Sequence, residues 1–382
     1  MKLRIRILTA AVFFVLAAFC AVEGQNSHPP IIVGYVFPRG AVLKPGQINA
    51  HDLDRINYAF ASTKGGRLVA GSASDEQNLA TLVALKKDKP SLQILISVGG
   101  WLGSRDFSDI ALTAQSRKIF IDSAMDFLEH NQLDGLDVDW EYPGQAGAGH
   151  AHRAEDKQNF TLLLEDLRKR FTQEEMASGH RLYLTIAAEA SDDYLAHTEM
   201  AKVQDIVDAV NVMAYDFNEA PSHGLTSHQA PLYTDPRSPI SDSIDSCVSA
   251  YEHAGVPATK LVLGVPFYGR SWERVSSADH GLFQPGRPAA RDFIPFAEIN
   301  GSILGHGFTR YWDAAASVPY LYNENQKIFV SYDDKESLTR KCSYVLSHRL
   351  GGVMFWEYFD DPNGTLLGAI VGALHAPEPA TH

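Results

Sequence analysis

Residues 133–142 read Leu-Asp-Gly-Leu-Asp-Val-Asp-Trp-Glu-Tyr. Side chains of a β-strand alternate between its two faces. Asp137, Asp139 and Glu141 therefore share one face, and Val138 and Trp140 take the other. Asp134 has the opposite parity to Asp137 and reads as structural. In a closed barrel one strand face points to the axis, so the three acids would line up pointing inward. Glu141 would then stand nearest the C-terminal mouth, where barrel sites are built.

The flanking sequence supports a barrel. Strand candidates recur at Ile31–Val36, Arg55–Ala61, Gln93–Gly99, Leu133–Glu141, Leu182–Ala188, Ala209–Tyr215, Leu261–Tyr268 and Gly352–Trp356. Most are rich in Val, Ile and Leu without polar alternation, as strands buried on both faces should be. Amphipathic runs lie between them. Ser116–Asn131 places Ile119, Phe120, Ala124, Phe127 and Leu128 at helical spacing, and Lys157–Phe171 does the same with Phe160, Leu163, Leu164 and Leu167. Eight strand–helix units predict an α/β fold of the (β/α)8 TIM-barrel type.

The rhythm breaks between Tyr268 and Gly352, a gap far longer than one crossover needs. Residues of about 271–332 carry short apolar runs, Gly, Pro and many aromatics. They predict a small α+β insertion subdomain between strand 7 and strand 8, forming one wall of a cleft. A long irregular loop is the alternative.

Stacked carboxylates cannot all ionise, so at least one should hold a proton at neutral pH. That is what a general acid requires, and it makes Glu141, at the mouth, the candidate acid. A solvated acidic strand end or a cation site is the plainer reading.

The 382 residues carry a net charge of −13 and are 45% hydrophobic. Such a chain can bury a full core, and its acidity disfavours nucleic acid and anionic membranes. Lys2, Arg4 and Arg6, the apolar run from Ile7 to about Val22, and Glu23-Gly24-Gln25 follow the order of a secretory signal peptide. Cleavage near Gly24 is expected, with a retained anchor as the alternative. It would leave residues 25–376 as the catalytic barrel, 377–382 as a disordered tail, and no membrane association. Only Cys247 and Cys342 would remain, enough for one disulfide but not for a scaffold. His150 and His152 lie in a Gly- and Ala-rich loop with no third ligand in view, so no metal is expected.

The segment Asp134-Gly-Leu-Asp-Val-Asp-Trp-Glu141 resembles the signature of glycoside hydrolase family 18, the chitinases and their relatives. Ser97-Val-Gly-Gly-Trp101, Met213-Ala-Tyr-Asp-Phe217, Gly264-Val-Pro-Phe-Tyr-Gly-Arg270 and Gly351-Gly-Val-Met-Phe-Trp-Glu357 resemble its motifs on strands three, six, seven and eight. The likeness spans about residues 31–374. It implies hydrolysis of β-1,4 N-acetylglucosamine linkages with retention, the substrate's acetamido oxygen serving as nucleophile. Glu141 would be the acid and later the base. Asp139 would hold the acetamido N–H, Asp137 would share a proton with Asp139, Tyr215 would donate to the acetamido oxygen, and Asp216 would support the site.

The remaining candidates line a cleft. Trp356 and Met354 share strand parity, and Trp356 reads as a stacking floor for a sugar ring. Trp101 follows two glycines and should line the groove. Tyr35 and Phe60 read equally as pocket border or core. Tyr268 and Arg270 resemble sugar-contacting positions of the family, and Met213 reads as packing at the pocket floor. The expected partner is chitin or a chito-oligosaccharide, bound by a monomer without cofactor or metal. A walled groove favours endo action, though no residue decides it. Two other readings are a lectin of the same fold and an endo-β-N-acetylglucosaminidase acting on N-glycans. The presence of Glu141 argues against the first, and the insertion argues against the second.

Overall fold

A computed structural model of the chain describes residues 29–218 and 224–375. The expected leader (1–24) lies outside the described residues, and so does the expected tail (377–382).

Fourteen strands are described. The barrel uses β1 (Ile31–Val36), β2 (Arg55–Lys64), β4 (Gln93–Gly99), β5 (Gly135–Asp139), β6 (Tyr183–Glu189), β7 (Ala209–Met213), β8 (Leu261–Pro266) and β14 (Gly352–Trp356). They pair in parallel in the order β1-β14-β8-β7-β6-β5-β4-β2, and β1 also pairs with β2, which closes the ring. β3 (Arg67–Val69) returns antiparallel along the extended end of β2.

Helices such as Ala114–His130, Asp156–Ser178, Ile244–His253 and Lys335–Ser347 surround the barrel. Thr113, Ser243 and Asp334 cap three of them, each reciprocated by a serine three residues on. The main core lies between strands and helices. There Trp140 stacks on Phe107 at 5.4 Å and meets Phe160 edge-on at the same distance. None of the described helices is long and apolar enough to cross a membrane.

The barrel axis is filled unevenly. Val33, Tyr35, Ala59, Ala209, Val262 and Met354 form a small apolar cluster on one side. Asn57, Ser97, Asp137, Thr185 and Asn211 are all buried polar residues, and Ser97, Thr185 and Asn211 donate to Asp137. Aliphatic layers usually fill such an axis, so its polar half marks where the chemistry is seated.

Two strand ends differ from expectation. The ladder of β5 stops at Asp139, leaving Glu141 just beyond the sheet. The seventh barrel strand stops at Pro266, where its pairing with β14 ends in a bond from Phe267 N–H to Trp356 O (2.7 Å). Tyr268 therefore opens the insertion instead of ending a barrel strand. Five antiparallel strands make up that insertion: β9 (Tyr268–Glu273), β10 (Arg287–Pro295), β11 (Thr309–Asp313), β12 (Val318–Asn323) and β13 (Ile328–Ser331). Their order is β10-β9-β13-β12-β11, around a core of Trp272, Val275, Leu282, Tyr320, Tyr322 and Phe329. Cys247 and Cys342 lie on two different helices and are both free and buried.

Candidate active site

Asp137 is fully buried and holds four hydrogen bonds. Tyr35 OH and Ser97 Oγ donate to its Oδ2, both at 2.8 Å. Thr185 Oγ1 (2.5 Å) and Asn211 Nδ2 (3.0 Å) donate to its Oδ1. The carboxylate is thus held in place, tying five strands together at the axis.

Asp139 has a different environment. It is also buried, but its Oδ1 finds no hydrogen-bond partner among the described residues. Burial, then Glu141, then Asp137 push its pKa well above the usual carboxylate range. Burial leads that order, whereas the sequence argument credited neighbouring acids. Asp137, held by four donors, and Asp139, whose Oδ1 finds no partner among the described residues, are thus engaged by the fold very differently.

Glu141 follows where β5 has left the sheet. Ser104 fixes this exit: its Oγ donates to Asp139 O (3.0 Å) and accepts from Glu141 N–H (3.2 Å). Gly99 makes room for it. At φ +126°, a Cβ on Gly99 would sit 2.0 Å from Asp139 O.

Tyr215 faces the same acids. Burial first, then Asp139, Asp216, Glu141 and Asp137 raise its pKa well above the usual phenol value, so its hydroxyl keeps its proton as a donor. The strand end before it packs closely on β8, where a Cβ on Gly264 would fall 2.3 Å from Val212 O and 3.0 Å from Tyr215 Cε1. Asp216 turns the chain with φ 59°. It accepts from Tyr268 OH (2.5 Å) and from Arg270 Nε (2.8 Å) and Nη2 (2.7 Å). Arg270 and Tyr268 thus tie the insertion to Asp216 beside Tyr215, and Arg270 Nη1 also reaches Asp292 Oδ2 (3.3 Å).

Trp356 ends β14 with aromatic rings around it. Phe60 stacks at 5.6 Å, Phe37 lies at 5.6 Å and Tyr35 at 5.9 Å. Met213 packs against the same cluster. Trp101 stands 55% exposed on the rim, braced by Tyr142, whose hydroxyl donates to Trp101 O (2.8 Å). Among the described residues no group of three or more His, Cys, Asp or Glu could hold a metal ion.

All twelve candidates lie at or near the C-terminal end of the barrel. Sequence reasoning missed Ser97, Thr185 and Asn211, although each is a polar residue flanked by apolar ones in its strand. It also missed Phe37, because a phenylalanine one residue past a strand carries no signal of its own.

Fold and site together define a class: a (β/α)8 barrel of the glycosidase type, with inward carboxylates and an aromatic floor at the strands' C-terminal mouth. The sequence matches the model of "Glycosyl hydrolases family 18" over residues 31–361, and the chain belongs to that family. It is 44% identical over 320 residues to Chitinase A1 of Niallia circulans, a match covering 79% of this chain and 46% of that protein. It therefore spans about half the length of that relative. Chitotriosidase-1 of Mus musculus is 35% identical over 338 residues, covering 84% of this chain and 70% of the mouse protein. Among solved structures, a family 18 N-acetylglucosaminidase from Paenibacillus barengoltzii superposes with a TM-score of 0.84 at 38% identity, covering 90% of this chain and 99% of that one.

Proposed function

We propose that the chain hydrolyses β-1,4-linked N-acetylglucosamine chains by substrate-assisted retention. The observation that carries this reading is Asp139: buried, with its pKa raised and no partner at Oδ1 among the described residues, between Asp137 and Glu141.

A sugar stacked on Trp356 would direct its 2-acetamido group toward Asp139 and Tyr215. Glu141 gives its proton to the glycosidic oxygen as the C1–O bond breaks. The acetamido carbonyl oxygen forms the new bond to C1, producing an oxazolinium ion. Asp139 accepts the acetamido N–H, and Tyr215 donates to the acetamido oxygen. Water then attacks C1 from the face the leaving group vacated. It loses its proton to Glu141, the oxazolinium ring opens, and configuration is retained. Asp137, held by its four donors, stays in place beside Asp139. Two inversions at one carbon require an N-acetyl group on the sugar that is cut.

The test compares N-acetylglucosamine and glucosamine oligomers of equal length. The acetylated oligomer should be cut and the glucosamine oligomer left intact. Equal cutting of both, or cutting of N-glycans alone, would overturn this reading. Binding of the acetylated oligomer without cutting would make the protein a lectin.

Residues 1–24 are read as a secretory leader on their charge–apolar–small order, which N-terminal sequencing of exported protein would test. Proteins named chitinase and one named N-acetylglucosaminidase are both among the similar structures. The point of attack along a chain must therefore come from the cleft itself.

A further inference from the structure

The barrel order sets a direction on the substrate. β14, carrying Trp356, lies four places around the eight-strand ring from β5, which leads to Glu141. The two residues therefore face each other across the mouth. A sugar on Trp356 with C1 toward Glu141 turns C4, on the far side of its ring, away from Glu141. Its O4 then points at the loops that follow β14 and β1.

Those loops are locked together there. Phe37 lies 5.6 Å from Trp356 and 5.8 Å from Phe60. Arg39 covers Phe37 at 5.3 Å, and its Nη1 reaches Glu357 Oε1 at 2.7 Å. Its Nη2 lies 3.6 Å from Asp360 Oδ1. Glu357 and Asp360 are both buried, and Glu357 directly follows Trp356. The loop is braced on its other side by the helix Asp75–Ala84. Asn78 accepts from Leu43 N–H (2.7 Å) and donates to Ala41 O (2.8 Å), while Ser74 Oγ, at the helix start, donates to Gly40 O (3.0 Å). Asn49 N–H donates to Tyr358 OH (2.8 Å), a second tie to the β14 loop. Arg39 itself stays 48% exposed, so its guanidinium can still meet a ligand.

We infer that the strap 37–43 closes the cleft on the non-reducing side, so that single sugars are removed from that end of the chain, with Arg39 meeting the terminal 4-hydroxyl. This rests on the proposed reaction and adds where along the polymer it occurs. It departs from the endo action favoured by a walled groove, because the insertion flanks the cleft whereas the strap blocks its end.

The test uses an N-acetylglucosamine pentamer labelled at its reducing end. Early in the reaction, wild type should yield unlabelled monosaccharide and labelled tetramer. A pentamer methylated at its terminal 4-hydroxyl should be cut at least about tenfold more slowly. Phe37→Ala with Arg39→Ala should raise the share of disaccharide and internal products. Disaccharide or internal products from wild type at the earliest times, or undiminished cutting of the methylated pentamer, would overturn the inference while leaving the reaction intact. Failure to cut any pentamer would instead overturn the proposed reaction. The methylated substrate keeps the test decisive if the double variant does not fold.

Discussion

Asp137 accepts four hydrogen bonds, whereas Asp139, two residues on along the same strand, has a buried Oδ1 with no partner among the described residues. One acid is held by the fold and the other is left available for substrate. Asp139→Asn should therefore lower kcat by about 10²–10³-fold, the range for removing a preorganised stabilising group. KM should move much less. Steady-state kinetics on an N-acetylglucosamine oligomer checks the split.

Thr185→Val removes one of the four donors to Asp137 while nearly preserving shape. A buried carboxylate that loses a donor should cost about 1–3 kcal/mol of stability. Chemical denaturation would show it as a lowered midpoint with unchanged slope.

Tyr215 keeps its proton because burial and four nearby acids oppose its ionisation. Tyr215→Phe removes only the hydroxyl. It should reduce kcat by about 10²-fold or more with thermal stability little changed. A loss of the same size in both would instead mark Tyr215 as structural.

Asp360 has its pKa pushed up to about 7 by burial and by Glu357, with Arg39 opposing. The folded protein thus holds a proton that the unfolded chain gives up near pH 4. The associated stability is complete below about pH 4 and is lost as pH rises toward about 7, where the folded group also ionises. Melting temperatures across this range should fall with pH in wild type, and Asp360→Asn should flatten the slope. A parallel pair of curves would remove Asp360 as the cause.

Gly99→Ala places a methyl 2.0 Å from Asp139 O at a φ of +126°. Clash and backbone strain together should cost more than about 2 kcal/mol. Oligosaccharide turnover per folded molecule should fall as well, because the displaced carbonyl belongs to Asp139.

Much of this was legible in the sequence. Strand parity separated Asp137 and Asp139 from Val138 and Trp140, and the apolar runs located all eight barrel strands. Parity could not say which acid would be held and which left free, since that depends on Ser97, Thr185 and Asn211 arriving from three other strands. The sequence of the seventh strand stays apolar past Pro266 as far as Tyr268, and the break shows only where pairing with β14 ends and pairing with the insertion begins. Tyr268 and Arg270 both bond Asp216, a tie that sequence spacing cannot reveal across more than fifty residues. Arg39 gave no signal at all. Its partners Glu357 and Asp360 lie more than three hundred residues away and meet it only because β1 and β14 are neighbours in the closed ring.

The central claim is that Glu141 supplies and recovers the proton at the scissile bond. Its most direct measurement is the rate of product release from an N-acetylglucosamine pentamer by wild type and by Glu141→Gln, with binding of the pentamer measured in parallel. The expected result is at least about 10²-fold loss of turnover with binding retained. Turnover by Glu141→Gln equal to wild type would contradict it.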